Sequence, residues 1–309
     1  MKYLFVSKVI IYFIVINFSI YFSSIAKDSL EQIHRENYKE SNLIKFEDVK
    51  DENTLIVYLY TGNKEDNVSV EHNMSLVEKI INENYYPNPI LLSLYIKYLL
   101  NQENINNDKV SKLLFKFYQV DSENALSAYL LSYYYALNSD YENYIKYLKI
   151  GNNKSKLDLY TDKKKKIIYN YYNKTDNQIF PYLAMLQVYL DDFNTLISQL
   201  SRQKNSDNKS IFYNNNNQLP YAENKLMGVK LEASTETIVD KKTGIGIQLY
   251  YSGLDQTNNK ALILEKRLKH FDELSNMFDT SKLQSEKQIL TYLQNVYKYG
   301  EVYALEQLN

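Results

Sequence analysis

Apolar and polar positions alternate with a helical period through most of the chain. Ile90 to Leu100 reads ILLSLYIKYLL, polar NQENINND follows, and Lys109 to Gln119 reads KVSKLLFKFYQ. The apolar residues recur three and four apart, which puts them on one side of a helix, while Asn and Asp between them bond their own backbone in turns. After Val120-Asp-Ser-Glu-Asn124 come ALSAYLLSYYYAL and NSDYENYIKYLK. Two helical hairpins in succession are predicted, and their short connections make antiparallel neighbours the natural packing. No proline lies between Pro89 and Pro181, so these backbone ladders run uninterrupted.

The flanks continue the pattern. Met74 to Asn84, MSLVEKIINEN, is an amphipathic helix that must end before Pro87 and Pro89. Asn53 to Tyr60, NTLIVYLY, suits either a short strand or a helix, with helix preferred. DKKKKIIYNYYNK and FPYLAMLQVYLDDFNTLISQL are helical, with Pro181 in a first turn. Ser201 to Leu219 is a polar low-complexity break dividing a helical region over 27–200 from a second over 220–309. Two readings compete for Glu236 to Tyr251, ETIVDKKTGIGIQLYY. DKKTG between β-branched residues signals a small β-hairpin, whereas Gly244 and Gly246 inside a longer periodicity signal close helix packing; the helical flanks favour helix. The expected fold is all-α, antiparallel helical hairpins stacked as a solenoid.

Met1 to Ala26, MKYLFVSKVIIYFIVINFSIYFSSIA, has Lys2 and Lys8 in front, an apolar centre from Val9 to Phe22, and small Ser24 and Ala26 behind. This is the three-part pattern of a secretory signal peptide. Counted from Tyr3, the same stretch could instead stay as an N-terminal membrane anchor. The expected location is outside the cytoplasm, periplasmic or envelope-associated. Removing residues 1–26 deletes two lysines and takes the formal charge from −1 to −3.

With 36 basic against 37 acidic residues there is no global field to draw nucleic acid or an anionic surface. Seven glycines and four prolines are too few for a turn-rich β-sandwich, and the absence of cysteine excludes disulfides, thiolate metal sites and cysteine nucleophiles. Arginine occurs only at 35, 202 and 267 while Asn, Ile and Tyr abound, a bias that follows A/T-rich codons. The 32 tyrosines are therefore first of all core aromatics whose hydroxyls need partners or water.

Val120 to Gly151 resembles a tetratricopeptide (TPR) repeat. Asp121-Ser-Glu-Asn124 stands at its opening, Leu131, small Ser132 and Tyr135 match the first helix, Ser139-Asp140-Tyr141 the turn, and Ile145 and Gly151 the second helix. Ala128 stands where a large aromatic is usual and Tyr144 where alanine is, and the closing proline is absent. Asn88 to Val120 is similar to a looser copy through Leu91, Leu94, Tyr98 and Leu114. The resemblance implies stacked hairpins with an inner groove for a peptide or protein partner, lined here by Leu126, Tyr129, Tyr133 and Leu137. Two tyrosines a helical turn apart would be rigid anchors in such a groove, or would pack on the neighbouring hairpin.

Catalytic signatures are lacking. His34, His72 and His270 are far apart, and Glu31-x-x-His34 lacks the second copy a di-iron site needs. Gly244-Ile-Gly246 lacks the third glycine of a dinucleotide loop, and neither Gly-x-Ser-x-Gly nor a phosphate-loop lysine motif occurs. Asp191-Asp192 and Asp272-Glu273 read as solvated helix carboxylates, and Lys163 to Lys166 as a solvated face or, less simply, an anionic-surface patch. No catalytic residue, metal or cofactor is expected. The leading expectation is an exported scaffold binding a protein or peptide in a bacterial cell envelope. The alternatives are an envelope hydrolase whose carboxylates meet only in the fold, and a membrane-tethered structural protein. The N-terminal peptide of the protein recovered from its source should begin at Lys27; a terminal peptide retaining the apolar stretch would establish the tether instead.

Overall fold

Side chains that accept hydrogen bonds from free backbone N–H groups set most helix starts. The computed structural model describes residues 43–62, 68–102, 105–175, 177–190, 197, 220–254, 258–280 and 285–308. The N-terminal segment, the linker, the Glu31/His34 spacing and Asp191-Asp192 lie outside the described residues.

Helix α1 (Glu52–Thr61) starts where Asp51 accepts from Thr54 N at 2.7 Å, and α2 (Val70–Glu83) where Ser69 accepts from His72 N. Asn88 caps α3 (Pro89–Leu100), whose first position is proline, and Asn106 caps α4 (Asn107–Val120). Asn124 and Asp140 cap α5 (Ala125–Leu137) and α6 (Tyr141–Asn153). Then follow α7 (Thr161–Tyr172), α8 (Phe180–Met185) with Pro181 in its first turn, and a 3-10 turn over Leu186–Leu190. From Tyr221 onward come α9 (Tyr221–Ser234), α10 (Ile238–Leu254), α11 (Asn258–Thr280), α12 (Glu286–Tyr299) and α13 (Glu301–Glu306). Among the described residues there is no strand, only one isolated bridge between Asn124 and Lys156. The segment with two readings is thus helical, as α10. The last helical stretch is split by Gly300, whose φ of +89° a side chain would rarely adopt and beside which Glu236 leaves no room for a Cβ.

Each helix from α2 to α6 packs on the next, α9 continues the stack on α6, and α10 and α11 follow, giving an all-α, solenoid-like array of neighbouring helix pairs. The α5–α6 pair shows why small residues matter. Ser132 Oγ donates to Tyr144 O at 2.9 Å, and Gly151 admits the Tyr129 ring where a Cβ would lie 2.4 Å from it. The array does not remain a single file. After α6 the chain returns through Lys154–Tyr160 so that α7 packs on α1, α8 packs on α7, and α12 reaches α8. Thr61 Oγ1 and Tyr172 OH, 2.8 Å apart, and Ile44 N, which donates to Tyr172 OH, stitch α1 to α7.

Three apolar clusters result. The largest runs through α1 to α6 and on into α9 and α10; a second joins α8 to α10–α13; a third gathers Val57, Ile168, Phe180, Met185 and Val296 from both ends of the chain. Tyr135 is half-buried, stacked on Tyr147 with ring centres 5.4 Å apart.

Helices α9 and α10 approach so closely that a Cβ on Gly244 would lie 2.7 Å from both Glu232 N and Gly228 O, whereas one on Gly246 would meet nothing within 4 Å. Gly244→Ala is therefore expected to cost about 1–3 kcal/mol through overpacking. Gly246→Ala should instead stabilise by up to about 1 kcal/mol through helix propensity. Parallel urea titrations of the two variants check this, and equal shifts would contradict the close approach.

Candidate peptide-binding cleft

The turn from Asn84 to Pro89 projects two tyrosines into solvent. Tyr85 and Tyr86 are 83% and 79% exposed, edge to face with ring centres 4.7 Å apart. Two prolines stiffen the turn, and Asn88 Oδ1 accepts from Ile90 N at 2.9 Å. The end of α2 is fixed from both sides. Asn84 Nδ2 donates to Glu52 at 3.3 Å, and Lys116 Nζ donates to the carbonyls of Ile81 and Asn84 at 3.0 and 3.1 Å.

Between this turn and α7 lies an open cleft of about 630 Å³. It is lined by Tyr86, Pro87 and Pro89 from the turn, by Lys163, Lys166 and Ile167 from α7, and by Val120 and Glu52. Lys163 Nζ stands 3.6 Å from Asp158 and 5.2 Å from the Tyr160 ring centre, and Lys166 pairs with Asp162 at 2.6 Å, which raises its pKa. Exposed aromatic faces, proline and directional cations suit an extended polypeptide. A smaller depression of about 400 Å³ lies among Tyr60, Met74, Leu94 and Tyr98.

The lysine run is not the solvated face expected from the sequence. Lys164 and Lys165 are buried: Lys164 Nζ is 5.4 Å from the Tyr60 ring centre, and Lys165 is 3.0 Å from Glu236 and 3.7 Å from Asp162. Only Lys163 and Lys166, three apart on one helix face, open to the cleft.

The groove expected from Leu126, Tyr129, Tyr133 and Leu137 also needs correction. Leu126, Tyr129 and Tyr133 are fully buried and Leu137 is half-buried, all packed in the largest core cluster. Tyr129 turns onto α6, fills the space beside Gly151 and donates to Asn152 Oδ1 at 2.8 Å. Burial pushes its phenol pKa well up, and that of Tyr133 to about 12. The cleft was missed because its walls come from positions as distant as Glu52 and Ile167; the available signal was Tyr-Tyr-Pro-Asn-Pro, two large aromatics in a segment that cannot be helical.

Buried or half-buried carboxylates occur elsewhere, each engaged. Glu232 accepts from Gln248 Nε2 at 2.7 Å and pairs with Arg267. Glu301 accepts from Ile238 N at 2.9 Å at the start of α10, near buried Asp240. Among the described residues no group of three or more His, Cys, Asp or Glu is arranged to hold a metal ion, and His72 and His270 are exposed on separate helices. No described helix is long and apolar enough to cross a membrane. Comparison with known protein families, curated proteins and solved structures gives no match.

Burial raises the Glu301 pKa above the usual carboxylate value of 4.5, the Ile238 N–H opposes that rise, and Asp240 adds to it. A raised folded-state pKa contributes stability below pH 4.5 that is lost as pH climbs through the raised value. Glu301→Gln keeps an acceptor for Ile238 N without the charge, so its stability relative to the parent should rise with pH across that window. Urea midpoints from pH 4.5 to 7.5 test it, and a constant difference would contradict it.

Proposed function

We propose that the chain is an exported TPR-like scaffold that holds a peptide or protein partner in a bacterial cell envelope, and that the cleft beside Tyr86 is where the partner docks. The observation that carries this reading is the pair of nearly fully exposed tyrosines on a proline-stiffened rim. Tyrosine offers a large amphipathic contact with few rotors to freeze, and a rigid turn loses little entropy on binding. Two hairpins, α3–α4 and α5–α6, support the TPR likeness: Leu91, Leu114 and Leu131 are buried in them, and Ser132 and Gly151 allow α5 and α6 to approach. The signal-like first 26 residues support export.

In-cell cross-linking and affinity recovery of the tagged protein, set against a Tyr86→Ala, Lys166→Ala double variant, test the proposal. Both side chains are exposed, so the variant should unfold at the parent's urea midpoint. The purified partner should bind the variant at least about tenfold more weakly, the loss of one hot-spot contact. Equal binding would remove the cleft from the proposal, and a parent that captures nothing would remove the scaffold.

A further inference from the structure

Tyr169 on α7 and Tyr297 on α12 stack with ring centres 4.4 Å apart and planes 29° from parallel. Among the described tyrosine pairs this is the shortest separation, and the rings belong to helices 128 residues apart in sequence (297 minus 169). The other close pairs differ in kind. Tyr85 and Tyr86 are chain neighbours nearly perpendicular at 88°; Tyr299 and Tyr303 flank the break at Gly300 at 52°; Tyr169 and Tyr182 lie 4.9 Å apart at 51°. Both stacked tyrosines are half-buried. The Tyr169 and Tyr182 hydroxyls lie 3.3 Å apart, giving the first phenol a hydrogen-bonded neighbour.

We propose that Tyr169 and Tyr297 are an oxidative cross-linking site that forms dityrosine and fastens α12 to α7. Each phenol loses one electron and one proton, and the two phenoxyl radicals couple through their ortho carbons. Each ortho hydrogen then moves to the neighbouring oxygen, restoring two phenols joined by a carbon–carbon bond. The co-reactant is hydrogen peroxide used by a haem peroxidase, which takes up the two electrons and two protons and leaves as two waters. The new bond lies in the plane of each ring, so the two rings must turn out of their stack about their side-chain bonds to form it, while their centres stay close to the present separation and the helices keep their places. Because the chain has no cysteine, this pair supplies a covalent tie that a disulfide cannot. The proposal is independent of the cleft.

The test treats the dilute, purified full chain with a haem peroxidase and one equivalent of peroxide, and repeats it with a small photo-generated one-electron oxidant that reaches half-buried rings. Tyr169→Phe and Tyr297→Phe keep the stack without the phenol. The expected product is a monomer lighter by two hydrogen atoms, with dityrosine fluorescence and a linked peptide joining residues 169 and 297. That peptide should vanish in either variant, and the urea midpoint should rise only for the treated parent. If linked peptides from Tyr85–Tyr86, Tyr299–Tyr303 or between molecules dominate with both oxidants, the assignment is overturned.

Discussion

One buried side chain fixes how the helix array folds back on itself. Asn124, fully buried, uses both amide hydrogens and both lone pairs. It donates to Asp121 Oδ2 at 3.0 Å and to Asp158 O at 2.8 Å, and accepts from Leu126 N at 3.1 Å and Asp158 N at 2.9 Å. The same amide therefore caps α5 and seizes the strand-like segment that leaves α6. Ala125 N donates to Lys156 O at 2.9 Å, and the Tyr160 hydroxyl donates to Asp121. Tyr160 itself takes a left-handed φ of +59°, an unfavourable conformation for a bulky residue that these bonds hold in place. Without this turn α7 would not reach α1, and the wall carrying Lys163 and Lys166 would not face Tyr86.

The tyrosines serve the seams between helices. Tyr129 reaches Asn152, whose own amide donates to Glu223 O on α9 at 2.8 Å, and Tyr144 accepts from Asn224 at 3.1 Å. Tyr172 bridges Ile44 and Thr61. Each ring fills volume as any aromatic would, and each hydroxyl satisfies a polar group that helix packing would otherwise strand, an omission that costs about 1–3 kcal/mol. A chain with abundant tyrosine and asparagine can thus build a cohesive core from side chains that carry polar ends.

Local pattern was legible and convergence was not. The boundaries of α5 follow directly from Asn124 and from the apolar run to Leu137, and α3 starts at Pro89 because proline and the Asn88 cap act within a few residues. Lys164 and Lys165 looked solvated because a lysine run is cheap only in water; their burial depends on Tyr60 and Glu236, which periodicity cannot bring together. On the repeat pattern Tyr129 suits either a groove or a seam with the neighbouring hairpin, and the missing side chain at Gly151 gives its ring a place inside its own helix pair. The break at Gly300 was hidden because a lone glycine within an amphipathic run reads as helix until tertiary contact with Glu236 makes the left-handed turn favourable.

The way α7 doubles back also sets an order of assembly. Asn124 and Asp158 are 34 residues apart, and the pairs from α2 to α6 join near neighbours, so their loops close at small entropic cost. The seams of α1 with α7 and of α8 with α12 span far longer stretches. A chain that leaves the ribosome or crosses a membrane from its N-terminus could raise the array early, but the third apolar cluster, drawing on Val57 and Val296 together, must wait for the last helices. Until then Ile168 and Tyr169 of α7 lack the cover that Val296 and Tyr297 give them, and the interval before α12 arrives is when this protein most needs protection from its neighbours.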